Sequence, residues 1–403
     1  MLSQYILDLC QNPATVSSEL DKAPNLAPAD VVKRLYKHNL RPDSAGSPGP
    51  RRDEDIELAL QCGRWRERPS ALFLKAFADA LSCLNTHPLA GMVSPPLMGS
   101  HGTMPLTIIA PLADVARHCA RVIREAKREV FFVTCVWSPS EAQQNEAWLS
   151  LIRNAERDIF IQTPDLNADP LLPALAEARA RGVAVTYYFC FGYNDAGEMI
   201  PGQGGTNEQA ARKLYTLAHA HARADPAAGA NVDDLPLLLR VHAYVAKDQD
   251  HPVHQSLGAR SCHLKLLIVD GAVGVQGSGN QDTQSWCHSQ ELNVMVDSRD
   301  ICARWRDAVE RNQRTSLFGR VGPQDGVWRD ARGEPGRGYS GDPGVLGGLL
   351  KGVAGMMQKT IRHGVVGRNA CFIRAKQPDT NGVARYKVEC ALRDEASGGN
   401  EPQ

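Results

Sequence analysis

Along the first hundred residues apolar positions recur at helical spacing. APADVVKRLYKHNL (27–40) and SALFLKAFADALSCLNT (70–86) both show it, and Pro69 is a start signal for the second. PDSAGSPGPRRDED (42–55) reads as a loop by its Pro, Gly and charge content. Further on the pattern changes. VIREAKREVFFVTC (122–135) and LIRNAERDIFIQTP (151–164) match nearly position for position, 29 residues apart, each an amphipathic helix followed by a short apolar strand. A helix that feeds a buried strand opens an α/β unit, so two such openings predict two homologous halves.

The halves are unequal. After the second opening, Asp169-Pro170 starts the helix LLPALAEARARG, Gly182 ends it, and VAVTYYFCF is the next strand. A Gly-rich loop, PGQGG (201–205), precedes the helix TNEQAARKLYTLAHAHA, capped by Thr206 or Asn207. LPLLLRVHAYVA, HLKLLIVD and ELNVMVDS (291–298) read as strands, and DICARWRDAVERNQRTSLFG as a helix. The first opening is followed only by CVWSPSEAQQNEAW before the second copy begins. The expected division is a helical N-terminal region (1–104), a truncated first half (105–145), a complete half (146–320), and a Gly/Pro-rich segment with an amphipathic helix at 345–364 and a loose tail (321–403).

Composition adds limits. The chain has 403 residues, 43% apolar and 22% charged, ordinary values for a globular protein with a substantial core. Lys+Arg and Asp+Glu stand at 45 each, so no global basic field favours nucleic acid, and an anionic substrate must be recognised locally. The N-terminus lacks a basic run followed by an apolar core, and no window approaches a membrane span. Eleven scattered cysteines without a CxxC pair suit reduced thiols in the cytoplasm, with peripheral contact at a membrane an open alternative.

The chemistry concentrates in HLKLLIVDGAVGVQGSGN, His263 to Asn280. His263 and Lys265 alternate onto one face of a strand, with Leu264, Leu266 and Ile268 on the other. Asp270-Gly271 is a hairpin signal. With Gly271 and Ala272 as a two-residue turn, His263 faces Asn280 and Lys265 faces Ser278, so four polar groups share a face. Gly277 and Gly279 then let backbone and substrate approach closely. Neutral His263 is a competent nucleophile toward phosphorus, Lys265 a holder of non-bridging oxygens, and Ser278 and Asn280 further donors. Glu291 could orient the imidazole, and Asp270 suits organising the turn. Trp286 and His288 are expected near the substrate. His251, His254 and His263 lack partners at ligand spacing, so no metal is expected.

These residues carry a resemblance. The stretch resembles the H-x-K-x4-D-x6-G-S-x-N signature of the phospholipase D superfamily, complete at His263, Lys265, Asp270, Gly277, Ser278 and Asn280. IFIQTPDLNADPLLPALAEARARGVAVTYY resembles the start of the second catalytic half in cardiolipin synthase-type members. SPPLMGSHGTMPLTIIA, GEMIPGQGGTNE and SWCHSQELNVMVDS resemble fungal proteins of that group, so the similarity runs from about residue 55 to 335. It implies an α/β fold with a mixed sheet flanked by helices. It also implies metal- and cofactor-independent phosphodiesterase or phosphatidyltransferase chemistry on a phospholipid, through a phosphohistidine. Such enzymes join two halves, each with one motif. Here no other histidine has a lysine two residues on, and the missing motif coincides with the truncated half. Three readings follow: a homodimer that pools two His263 side chains, an inactive phosphate- or lipid-binding protein, or, least favoured by the charge balance, a nuclease.

Overall fold

The computed structural model describes residues 2, 4–12, 16–23, 25–26, 30–31, 34–35, 53–86, 98–102, 117, 121, 125, 142–199, 202–224, 238–258, 261–287, 289, 291–339, 371–375 and 386–390. The 345–364 helix, His288 and nearly all of the first repeat copy lie outside these residues. Met1–Pro105 and Ser138–Gly352 form one compact unit; Leu106–Trp137 and Val353–Gln403 form another. In the second unit Cys371–Ala375 pairs antiparallel with Tyr386–Cys390.

The first unit is built on a mixed sheet of six strands: β1 (Asp158–Gln162), β2 (Ala184–Phe189), β3 (Leu239–Ala243), β4 (Leu266–Val269), β5 (Val273–Gly277) and β6 (Asn293–Asp297). The spatial order is β3-β2-β1-β4-β5-β6. β1, β2 and β3 run parallel, and β4, β5 and β6 continue antiparallel from β1. The fold is therefore α/β with a mixed sheet flanked by helices, as the resemblance implies. The period of two is visible in the burial. Ile159, Ile161, Val185, Tyr187, Leu267 and Val269 enter the main core. Phe160, Tyr188, Leu266 and Ile268 point the other way, onto Cys302, Trp305 and Val309.

Helices cover both faces because each has one apolar side to bury. α1 (Gln4–Gln11), α2 (Val16–Lys22), α3 (Asp53–Cys62) and α4 (Ala71–Thr86) make up the described N-terminal helices. α5 (Ala142–Arg153) begins nine residues before the second repeat copy and shares only Leu151, Ile152 and Arg153 with it, while α6 (Leu171–Ala180) and α7 (Asn207–Ala224) follow the predicted crossover helices. Leu81, Trp148, Leu175 and Leu214 from α4 to α7 all reach the main core. α8 (Thr283–Cys287) follows β5, and α9 (Arg299–Arg311) covers the opposite face, capped by Ser298 accepting from the Ile301 N–H. Arg306 of α9 lays its guanidinium 3.6 Å over the Phe160 ring.

The hairpin departs from the expected register. Leu266 pairs with Gln276 and Val269 with Val273, so partners sum to 542 instead of 543. Asp270 (φ 55°) and Gly271 (φ 57°) take the two central positions of a turn closed by the Ala272 N–H on the Val269 carbonyl (3.0 Å). Asp-Gly at positive φ is the type I′ solution, and Ala272 is the extra residue that shifts the ladder. Lys265 therefore meets Gly277, whose N–H points at the Lys265 carbonyl (3.4 Å), and Ser278 does not stand opposite Lys265.

Candidate functional site

The parallel strands β1 to β3 end where β4 and β6 begin and β5 finishes, so one end of the sheet gathers the groups that follow or precede these strands. His263 and Lys265 lie just before β4. The Lys265 Nζ sits against the imidazole, 2.7 Å from Nδ1 and 3.0 Å from Nε2, and donates to the His263 carbonyl at 3.0 Å. An ammonium that donates to a ring nitrogen needs a lone pair there, so this contact belongs to neutral His263. Burial and the Lys265 charge hold the imidazole below the usual histidine range, with Asp282 opposing. Tyr193 lies beside it, ring centroids 5.9 Å apart.

Lys265 is 3% exposed, and burial brings its pKa down to about 8 against the pull of Asp165, Glu291 and Asp282. It therefore stays cationic at neutral pH because acidic groups surround it. Asp165 follows the end of β1, Glu198 closes a helical turn after β2, and Asp282 precedes α8. All three are buried, with carboxylate oxygens within 4.8 Å of one another. Glu198 accepts from Asn167 (2.5 Å) and Asn194 (2.6 Å). Asp282 accepts from the Ser285 N–H (2.6 Å) and from Asn280 (3.3 Å). Neither Asp165 oxygen has a partner that donates to it among the described residues. It faces the Asp282 carboxyl, and two acceptors can share such a contact only through a proton. Burial, with Asp282 and Glu198 beside it, pushes the Asp165 carboxyl well above the carboxylate range, which favours its protonated form. Among the described residues this trio is the arrangement that could hold a cation, and the Lys265 ammonium supplies the positive charge next to it.

The other expected residues are distributed differently. Ser278 is exposed; its Oγ donates to Glu291 (2.7 Å), and its N–H to the Leu292 carbonyl (3.0 Å), which ties it to β6. Glu291 also accepts from Ser285 (3.2 Å). Asn280 reaches Asp282, while its own Oδ1 is buried without a partner. The Asp270 carboxylate lies at the far end of β4, where it accepts from the N–H groups of Glu156, Arg157 and Asp158. Asp270 thus anchors the start of β1. The glycines also have an internal reason. A Cβ on Gly277 would come within 2.3 Å of the Leu292 carbonyl, and one on Gly279 within 2.1 Å of the Gln144 side chain, so neighbouring chain, not substrate, needs their space. Trp286 needs the same correction: it is 5% exposed in the main core, its indole donating to Gln281 (3.0 Å) because a buried N–H needs a partner.

Sequence reasoning passed over Asp165, Glu198, Asp282 and Tyr193. Asp282 had a local signal, two residues after Asn280 and three before Ser285, a helix-cap spacing. Asp165 and Glu198 had none, because their charge states follow from burial against each other.

The sequence pattern of the family described as "Cardiolipin synthase, PLD-like domain" matches residues 148–312. Comparison with curated proteins found no match. Among solved structures the chain is similar to Nuc from Salmonella typhimurium, described as a phospholipase D family member. The identity is 16% and the TM-score 0.30, over 47% of this chain and 97% of that one. It is also similar to phosphatidylserine synthase from Haemophilus influenzae (11%, TM-score 0.32, 72% and 61%). A third is TrmBL2, an archaeal chromatin protein with a novel mode of DNA binding (11%, TM-score 0.23, 49% and 57%).

Proposed function

Because residues 148–312 belong to the phospholipase D superfamily, we propose that this protein acts on phospholipid phosphodiesters, by hydrolysis or transfer, with His263 as the attacking group. The observation that carries this reading is the Lys265 ammonium held against a neutral imidazole. When a phosphodiester enters, the Lys265 donors turn to its non-bridging oxygens and release a ring nitrogen. That nitrogen attacks phosphorus, the P–O bond to the leaving group breaks, and a phosphohistidine forms. Water or a second alcohol then takes the phosphoryl group and restores the imidazole. Ser278 and Asn280 are donors near this path, with Glu291 and Asp282 setting the charge around Lys265 and His263.

The leaving oxygen needs a proton. Another copy of the chain could bring it on a second His263 across a two-fold axis. One feature favours a source within the same chain: the buried Asp165 carboxyl, held well above the carboxylate range by burial and by Asp282, which it faces beside Lys265. Turnover that is linear in protein concentration supports the single-chain source; turnover that rises with its square supports the dimer.

The test is incubation of purified protein with phosphatidylglycerol vesicles, a generic aryl phosphodiester and a DNA oligonucleotide, beside a His263→Asn control. Release or transfer of a phospholipid headgroup, lost on the order of 10³-fold in the control, is the expected result. Activity should fall above about pH 8, where Lys265 loses its charge. Lipid binding without turnover establishes the inactive-binder reading instead, and cleavage of DNA alone the nuclease reading.

A further inference from the structure

Six large apolar side chains are exposed among the described residues: Leu26, Leu257, Leu292, Val294, Leu317 and Phe318. Leu26 belongs to the N-terminal helical region. The other five share one place in the fold. Leu292 precedes β6 and Val294 is its second residue; its first, Asn293, pairs with Gly277 at the end of β5, so both stand at the end of the sheet that carries His263. Leu257 lies in a turn after β3, where the Gln255 N–H donates to the carbonyl of Phe191, just past the end of β2 (3.0 Å). Leu317 and Phe318 follow Gln313, which pairs with Ala246 beyond β3. Gln313 also bonds through its amide to Gln162 (3.0 Å), and Gln162 in turn donates to the Sγ of Cys262, next to His263.

These residues flank the site from both edges of the sheet. Five strand spacings separate β3 from β6, about 24 Å in all. Isolated exposed leucines need no explanation, but five on the two flanks of the same end of the sheet form a pattern. Next to Leu317 and Phe318 is a cleft of about 720 Å³ lined by Trp328, Arg320, Arg329 and Arg337, with His251. Arg329 is paired with Asp325. Arg314, Arg320 and Arg337 are exposed around the apolar tip, while Asp250 and Asp330 are the acidic groups of the cleft. Apolar side chains with arginines beside them on the flank of Leu317 and Phe318 match a lipid surface with anionic headgroups: the apolar groups enter the acyl boundary and the guanidiniums take phosphate oxygens.

We infer that the site end of the sheet docks on an anionic lipid surface, with Leu317 and Phe318 on one flank and Leu292 and Val294 on the other, and with Arg314, Arg320 and Arg337 engaging headgroups. This docking requires no turnover, since none of these side chains belongs to the proposed chemistry. It would bring His263 to headgroup depth.

The experiment is co-sedimentation of the full chain with phosphatidylglycerol–phosphatidylcholine vesicles and with phosphatidylcholine vesicles alone. Wild-type protein should pellet with the anionic vesicles and release as salt is raised. A Leu317→Ser/Phe318→Ser variant should lose about tenfold or more in partitioning, and Val294→Ser should lose less. Arg337→Glu is the second handle, since it leaves the apolar residues in place; it too should weaken binding about tenfold. Unaltered partitioning in these variants overturns the inference, and so does equal binding to neutral vesicles. Failure to pellet with any vesicle also overturns it. A chain that sediments as a dimer and becomes monomeric on Leu317→Ser/Phe318→Ser assigns the face to a second copy and overturns it as well. None of these readouts depends on catalysis, so they stand apart from the headgroup-release test.

Discussion

At the closed end of the β4–β5 hairpin the Asp270 carboxylate accepts three backbone N–H bonds, whereas at the open end the Asp165 carboxyl, buried more deeply, accepts none from the described residues. Asp270 is 8% exposed and Asp165 1%. Both belong to residues that begin or end the same strands, yet their physical states are opposite. The N–H groups of Glu156, Arg157 and Asp158 would be unpaired without Asp270, and the Arg157 guanidinium reaches its carbonyl as well. Asp165 instead faces Asp282 and Glu198, and its carboxyl is pushed up by burial and because ionisation there would add charge to charge. One end of the sheet satisfies its polar groups and is structural. The other end leaves a buried acid without a donor among the described residues, an arrangement of the kind that clusters at functional sites.

Removing each carboxylate tests that contrast most directly. Asp270→Ala should destabilise the protein by about 3 kcal/mol, roughly 1 kcal/mol for each of the three part-buried backbone N–H groups that lose this acceptor. Asp270→Asn should restore most of that, since Oδ1 can still accept and asparagine tolerates the positive φ of this position. Urea unfolding midpoints of the two variants measure the difference. An alanine variant as stable as wild type would remove Asp270 from the structural side.

Asp165→Asn should act in the opposite direction. The folded state holds the Asp165 proton above its unfolded value, so its contribution is fully present below the ordinary carboxylate pKa of 3.8 and is lost as pH rises through the folded value. An asparagine has no proton to lose and can donate to Asp282. The variant should therefore match wild type near pH 3 and become progressively more stable than wild type as pH rises toward 7. The check is thermal unfolding across that range. A variant that loses stability at pH 7 would mean that the wild-type carboxyl is ionised and well paired.

How much of this was legible in the sequence follows from the same contrast. Helices and strands of the complete half were readable because their periods record burial directly: α6 lies between Pro170 and Gly182, and β1 and β2 alternate Ile159, Ile161 and Tyr187 against Phe160 and Tyr188. The Asp-Gly turn was readable as a turn, but not its register. Placing Gly271 and Ala272 at its centre shifts every pair by one, whereas the chain puts Asp270 and Gly271 there and adds Ala272. That single residue moves Ser278 from Lys265 to Glu291. His263 and Lys265 were readable from residue type and spacing. The carboxylates around them were not, because Asp165, Glu198 and Asp282 come from three separate connections that only the sheet brings together. Trp286 shows the reverse error, a residue near the motif in sequence whose ring belongs to the core.

The smallest expected effect isolates the turn from its contacts. A Cβ at Gly271 would meet nothing within 4 Å, so a substitution there acts through backbone conformation alone. At φ 57° alanine is strained, and Gly271→Ala should cost about 1 kcal/mol, with Gly271→Asn costing less because asparagine visits this region readily. Differential scanning calorimetry of both variants reads the difference. The phosphate binding proposed for His263 and Lys265 should be unchanged in both, since the turn closes the far end of β4. If Gly271→Ala weakened phosphate binding while the melting point held, the two ends of the hairpin would be coupled, and the division between a structural and a functional end would fail at this position.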